Sequence, residues 1–377
     1  MKPIRVLHMS GTMNMGGAET LIMELYRHID RDKIQFDFMI YNYSHEQGAY
    51  DDEILNLGGH IYNMNGRFSK NPIYYLIELK RFFDNHKEYR IVHAHQFAIS
   101  GYVLAMAKLS NPGIFTIAHS HIAYPQTDFL RNIADIIGKK LLVYNADTVF
   151  GCSNDALIAL TGKEEDGIKY RIVRNAIDIK KFIYNEKKRD IWRKILGVKE
   201  DTFVVGNVAR FTNQKNHEFI VSIFSSIKRT NKNSKLVLIG TGSKIPEIQR
   251  LVKELNLEED VILLGVRPDV NEIINAFDVF LMPSRYEGLG IVLIEAQANG
   301  LPCIISKDVI PEEVDTRGGM IKRVSLNELP DQWASECISA GKRKATAFAQ
   351  QAVKSAGYDI NKVALDLQNF YLDKWST

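Results

Sequence analysis

Short apolar runs alternate with longer amphipathic segments along almost the whole of this chain, and that rhythm admits few folds. The runs at 5–8, 35–40, 91–94, 115–118, 148–151 and 171–173 are too short for buried helices and read as strands. Between them, 18–29, 73–85, 100–109, 128–144 and 154–160 carry apolar residues at helical spacing. Strand, helix and strand in succession build a parallel sheet covered by helices. The rhythm pauses at Asn175-Ala176-Ile177-Asp178 and a charged segment to Arg193, then resumes with runs at 203–208, 235–239, 261–264, 279–281 and 302–305. At 377 residues the chain is also longer than one core usually fills. Two α/β domains are therefore expected, with a linker near 175–185 and a terminal helix over 363–375.

Composition removes several functional classes. A net charge of +3 is too small to argue for a nucleic-acid partner. Cys152, Cys303 and Cys337 are odd in number and far apart, which fits neither a disulfide framework nor a zinc site and points to a reducing compartment. The start, MKPIRVLHMSGT, enters a strand without a signal-peptide pattern. No apolar run approaches the ~20 residues that span a bilayer, so a soluble or peripheral protein is expected.

Chemistry concentrates between Pro283 and Gly300, PSRYEGLGIVLIEAQANG. An apolar strand breaks at Pro283, turns through a glycine-rich loop holding Glu287, Gly288, Leu289 and Gly290, and enters a helix that carries Ile291 and Glu295. Glycine backbone lets a ligand approach closely. The first N–H groups of the helix lack internal partners and carry partial positive charge, which suits a diphosphate. Glu287 and Glu295 stand eight apart, an offset that returns to nearly the same face of a helix. Upstream, Arg210 and Lys215 follow the strand at 203–208. The first is a planar fork of donors and the second a mobile point charge, and both suit phosphate oxygens.

The amino-terminal half offers Gly16 and Gly17 in a strand-to-helix turn, where backbone N–H groups can reach an anion. A dinucleotide fold would need G-x-G-x-x-G there, and Gly11, Gly16 and Gly17 do not supply it. Gly240-Thr241-Gly242 begins like that fingerprint, but Ile245 and Pro246 stand where its third glycine belongs. His93 and His95, and His119 and His121, lie at the ends of two expected strands. Residues two apart share a strand face, so each pair has half the ligands of a metal site. With no acid or cysteine at ligand spacing, hydrogen-bonded histidines in a sheet crevice are the better reading. His119 is singled out because strand carboxyl ends are where open α/β sheets bind ligands. Asp30-Arg31-Asp32 is a D-x-D tripeptide that reads as a solvated turn.

The segment 283–300, with Arg210 and Lys215 before it, resembles the carboxy-terminal signature of the retaining glycosyltransferases of family 4. Gly16, Gly17 and Glu19 match that family's G-G-x-E turn, and the texture of the first 40 residues is similar to the branch found in bacterial exopolysaccharide and capsule clusters. The resemblance covers nearly the whole chain. It implies the GT-B fold, two Rossmann-like domains whose parallel sheets face a central cleft. Domain bounds of 1–175 and 176–357 are expected, with a helix over 358–377 crossing back to the first domain.

What the resemblance implies chemically is transfer of a sugar, with retention of configuration, from a nucleotide sugar (expected to be a UDP-sugar) to a glycan acceptor. Arg210 and Lys215 would hold the diphosphate. Glu295 would take the ribose hydroxyls and Glu287 those of the transferred sugar. Gly242 belongs to the next glycine loop, and Val266 and Arg267 would frame the base through backbone groups. Gly288, Leu289, Gly290 and Ile291 would line the donor, Gly16 and Gly17 would lie near diphosphate and acceptor, and His119 would touch the donor sugar. His121, His93 and His95 would be structural or acceptor-side. No cofactor and no catalytic metal are expected. Leu289 replaces the family's common phenylalanine, and Ala176 a glycine of the linker. Basic amphipathic segments at 69–87 and 128–144 fit peripheral contact with the cytoplasmic membrane face and a polyprenyl-diphosphate-linked acceptor. A nucleotide-sugar epimerase of the same fold and a non-catalytic glycan-binding protein are the alternatives.

Overall fold

The structure is a computed structural model. It describes residues 2–14, 16–41, 47–66, 68–121, 129–307 and 309–376, apart from the side chains of 129–132. The chain divides into two units, Met1–Ala176 with Ile360–Thr377, and Ile177–Asp359.

Unit 1 carries seven strands: β1 (Ile4–Met9), β2 (Ile34–Ile40), β3 (Ile61–Asn63), β4 (Ile91–Ala94), β5 (Phe115–Ser120), β6 (Thr148–Gly151) and β7 (Tyr170–Ile172). They form one parallel sheet in the order β3-β2-β1-β4-β5-β6-β7. Successive residues of a strand point to opposite faces, and here both faces are buried. Val6, Ile91 and Ile117 join Phe36, Phe38 and Phe150 on one side. Their sequence neighbours Leu7, Val92 and Ala118 join Met39 and Val149 on the other. This is why the strands read as continuous apolar runs. The helix Ile360–Ser376 follows unit 2 in sequence but completes the first face, burying Ile360, Ala364, Leu367 and Tyr371 along one stripe. At ~2 kcal/mol for each of the three large side chains, that stripe contributes roughly 6 kcal/mol to unit 1.

Unit 2 has six strands: β8 (Phe203–Val208), β9 (Ser234–Ile239), β10 (Val261–Leu263), β11 (Val279–Met282), β12 (Cys303–Ser306) and β13 (Ile321–Val324). They too form one parallel sheet, β10-β9-β8-β11-β12-β13. Each sheet grows outward in both directions from its middle, so it reverses direction once, between β1 and β4 in unit 1 and between β8 and β11 in unit 2. At such a reversal the loops leave to opposite sides and open a crevice beyond the strand ends.

Two departures from the sequence reading have local causes. The charged segment that follows the linker expected near 175–185 contains a helix the sequence did not mark, Glu186–Ile195, capped by the Asn185 side chain on the Lys188 amide. It buries only Trp192 and Arg193, and the Arg193 guanidinium is spent on the Ala276, Lys199 and Glu200 carbonyls. So little burial leaves a helix that looks like a linker. β3 and β13 were not anticipated because they are not apolar runs: β3 is IYN, which ends on an exposed Asn63, and β13 is IKRV, with two cations between its apolar ends.

Candidate active site

In unit 2 the loops leaving β8 and β11 meet at the crevice. After β8 the chain passes Arg210 and a single 3-10 turn, Asn213–Lys215, and then takes a left-handed residue, Asn216, at φ 57°. Asn is one of the few residues that tolerates this conformation. Its side chain uses the resulting direction, donating to the Pro283 carbonyl at 3.0 Å and accepting from Arg285 at 3.1 Å. The Gln214 side chain donates to the Tyr286 carbonyl (3.0 Å), and the Arg285 amide to the Gln214 carbonyl (2.8 Å). Four hydrogen bonds thus lace the two loops into one rigid piece.

That piece brings Lys215 Nζ to 2.5 Å from Glu287 Oε1, with side-chain exposures of 16% and 4%. A cation and an anion so far withdrawn from water persist only because they face each other. Arg210 is exposed; its carbonyl accepts from the Thr212 amide at 2.8 Å, and its guanidinium makes no hydrogen bond or ion pair among the described residues. Gly290 ends the loop in the left-handed region (φ 80°) and caps the helix Ile291–Ala298, whose leading N–H groups face the same loop. Gly288 is half-buried and Leu289 buried beside Glu287. Glu295 lies half-buried on the helix and has partners of its own. Glu287 precedes the helix rather than belonging to it, so the argument from a shared helix face fails. The loop, not the helical period, sets where that carboxylate points.

β9 and β10 end on the same side of the sheet. Gly242 follows β9 at φ 159°, and a Cβ there would stand 2.4 Å from the Phe211 carbonyl oxygen. Glycine is required because the loop backbone lies directly against the chain after β8. The Val266 side chain is exposed, whereas Arg267 pairs with Asp269 at 2.6 Å and lies over the Trp192 ring. With that side chain engaged, the backbone of 266–267 is what remains to meet a ligand.

The other expected residues lie in unit 1. Gly16 is the amino-terminal cap of the helix Gly17–His28, with the Glu19 carboxylate folded against it. Asp30 pairs with Lys33 at 2.9 Å and accepts from the Asp32 amide, the turn expected of that tripeptide.

His119 belongs to a cluster the sequence only half disclosed. Parallel register sets His8 of β1 beside His93 of β4, and the same face continues through His95, His119 and His121. Neighbouring rings stand 4.1–5.4 Å apart. His8 Nδ1 lies 3.0 Å from His95 Nε2, and His95 Nδ1 lies 2.9 Å from His121 Nε2. His93 Nδ1 lies 2.6 Å from the Tyr371 hydroxyl of the returning helix. Both ring nitrogens of His119, and Nε2 of His8 and His93, are buried without a hydrogen-bond partner. Burial holds His93, His95 and His119 well below the ordinary histidine value, and pushes His8 to about 3 and His121 to about 4. All five imidazoles are therefore neutral near pH 7. His8 was missed because nothing local marks it; only strand register puts it among the others.

Comparison with known proteins agrees with this architecture. Residues 15–181 match the family described as Glycosyltransferase Family 4, and residues 188–323 the one described as Glycosyl transferases group 1. A Bacillus subtilis protein bearing the name glycosyltransferase EpsF is 36% identical over 375 residues, covering 97% of this chain and 96% of that protein. The Escherichia coli UDP-Gal:alpha-D-GlcNAc-diphosphoundecaprenol alpha-1,3-galactosyltransferase is 30% identical over 58% of each chain. Among solved structures, Anabaena HepE in complex with UDP superposes with a TM-score of 0.80 at 19% identity, covering 99% of this chain and all of that one.

Proposed function

This chain belongs to the family 4 glycosyltransferases, of GT-B fold, and from that premise we propose that it transfers a sugar from a UDP-sugar to a lipid-linked glycan, with retention of anomeric configuration and without a metal, in exopolysaccharide or capsule assembly. The observation that carries this reading is the laced crevice of unit 2, where Lys215, Glu287, the exposed Arg210 and a helix amino-terminus lie in adjoining segments. Supporting the donor is the UDP complex of Anabaena HepE; supporting the acceptor is the diphosphoundecaprenol named for the Escherichia coli relative.

In the reaction, the bond from the anomeric carbon to the diphosphate oxygen breaks and its electron pair leaves on that oxygen. Arg210, Lys215 and the N–H groups leading into Ile291–Ala298 stabilise the charge without having to reorganise. Their two formal charges do the work a metal does in other transferases. The acceptor hydroxyl attacks the same face of the sugar, and its proton passes to the departing diphosphate. Glu287 takes hydroxyls of the transferred sugar while it keeps its contact with Lys215, and Glu295 takes those of the ribose. Gly242, Gly288, Leu289 and the backbone of Val266 and Arg267 line the donor. Gly16 and Gly17 serve the sugar and acceptor.

Unit 1 also suits a membrane surface. The helix Pro72–Asn85 exposes Ile73, Tyr74 and Ile77 near Lys70 and Arg81, and the helix Phe129–Asn145 exposes Ile133, Ile136, Ile137 and Tyr144 near Lys140. Apolar side chains on the outer face of a helix, mixed with cations, favour the headgroup boundary of an anionic bilayer. No helix among the described residues is long and apolar enough to cross a membrane. The exposed apolar and basic faces of these two helices are what support a peripheral enzyme on the cytoplasmic face of the membrane.

The test is UDP release from a panel of UDP-sugars, with and without polyprenyl-diphosphate sugar acceptors. Acceptor-dependent release is expected, reduced by a factor of about 100 or more in Arg210→Ala and Lys215→Ala. Interconversion of the donor sugar without release would make the protein an epimerase, and binding without turnover a glycan-binding protein. Flotation with anionic liposomes tests the membrane contact, and no association would end it.

A further inference from the structure

The histidine cluster of unit 1 holds more coordinating nitrogen than its hydrogen bonds consume. His95, His119 and His121 each offer a ring nitrogen, and the three atoms lie within 4.8 Å of one another. His8, His93 and His95 make a second such group. The first is the more accessible, because His95 and His121 are only half-buried while His8 and His93 are sealed in the sheet. Neither nitrogen of the buried His119 makes a hydrogen bond of normal geometry, although the Val173 backbone acts on the ring. A buried polar atom without a partner is destabilising, so a ligand that uses it is favoured.

We propose that His95, His119 and His121 bind one divalent d-block ion of the zinc class. Three neutral nitrogens with no carboxylate among them suit a borderline-soft cation and not magnesium or calcium, which take oxygen ligands. Ring nitrogens ~2.1 Å from a tetrahedral ion stand ~3.4 Å from one another. The His95–His121 contact of 2.9 Å opens slightly to reach that spacing, and the widest pair closes by rotation of the rings.

The tautomers required are provided by the neighbours. With its Nε2–H donated to His8 Nδ1, His95 presents a lone pair at Nδ1. His121 moves its hydrogen from Nε2 to Nδ1; that nitrogen and the Asn175 amide oxygen are both buried without a partner, and a hydrogen bond between them would hold the tautomer. Each imidazole keeps one hydrogen, so coordination releases no proton. Partners of this kind, behind the ligands, orient rings in metal sites generally. A water completes the fourth position of such a three-histidine site.

The experiment uses the full chain without an affinity tag, stripped by chelator and titrated with Co2+, then back-titrated with Zn2+. One Co2+ per chain is expected, with the intense visible bands of a four-coordinate ion and no thiolate charge-transfer band. His119→Gln and His121→Gln should each weaken binding at least tenfold, and His8→Gln by about tenfold through the orientation of His95. His217→Gln, a buried histidine of unit 2, and Cys152→Ser should leave it unchanged. Circular dichroism identifies folded variants, and His121→Gln, at the half-buried edge, guards against loss of fold in the others. Stoichiometry far below one, weak six-coordinate bands, or unchanged binding in folded His121→Gln would overturn the assignment. The readout is the ion and not turnover, so the result stands apart from the transferase reading.

Discussion

The Lys215–Glu287 pair permits a quantitative test of the crevice in unit 2. Removing one member of a fully buried pair typically costs 3–5 kcal/mol, because the survivor is left charged and unpaired. Lys215 keeps 16% of its side-chain exposure and Glu287 only 4%. The stranded lysine recovers some hydration, and the stranded carboxylate recovers little. Glu287→Gln should therefore cost about 2 kcal/mol, and Lys215→Met about 3 kcal/mol. The double variant leaves no uncompensated charge, and its cost should be close to that of Lys215→Met alone. The cycle then gives a coupling of roughly 2 kcal/mol, well above the ~0.5 kcal/mol of independent sites. Urea unfolding followed by tryptophan fluorescence at low and at 0.5 M salt measures it. The coupling should survive the salt, because a pair withdrawn from water is screened little. Additive single costs, or a coupling abolished by salt, would mean that the pair is a surface contact and the crevice is not preorganised.

Three further outcomes follow from the geometry. The buried histidines have folded-state values below the unfolded ~6.5, so their stabilising effect is complete above that pH and is lost as pH falls toward the folded values. Between pH 7 and 5, His8 or His121 alone accounts for about 2 kcal/mol, so the urea midpoint should drop steeply over that interval; a flat profile would contradict neutral imidazoles. Gly242→Ala must displace either its new methyl or the Phe211 carbonyl; a loss of at least ~2 kcal/mol with weakened UDP binding by calorimetry is expected. Tyr371→Phe strands His93 Nδ1 in the core of unit 1 and should lower stability by 1–3 kcal/mol, roughly the cost of one unmet buried polar group, read from the same urea curves.

Which parts of this molecule were readable in its sequence follows from the range of the forces involved. β1, β4, β5, β8 and β11 announce themselves because both faces of each are buried, so their apolar runs are unbroken. The edge strands β3 and β13 leave no pattern because polar residues interrupt or end them, whereas the similarly short β10 is apolar throughout. The placement of Arg210, Lys215 and Glu287 in loops after β8 and β11 was legible, because the apolar runs that precede them end sharply. The contact between Lys215 and Glu287 was not, since it depends on Asn216 turning left-handed and anchoring Pro283. The histidines show the same limit. His93 with His95 and His119 with His121 are visible as pairs, but their union with His8 rests on a register fixed by hydrogen bonds between distant strands.

The helix Ile360–Ser376 has a consequence for synthesis. Unit 2 is translated between the two pieces of unit 1, and the second piece supplies Tyr371, the hydroxyl partner of His93, together with one wall of the sheet. A ribosome therefore releases the later unit with all its strands in hand, while the earlier one waits with an open flank and histidines facing solvent. Nascent chains stalled before residue 360 should hold a protease-resistant unit 2 beside a protease-sensitive unit 1, and a chaperone that shields apolar flanks would be needed most during that interval.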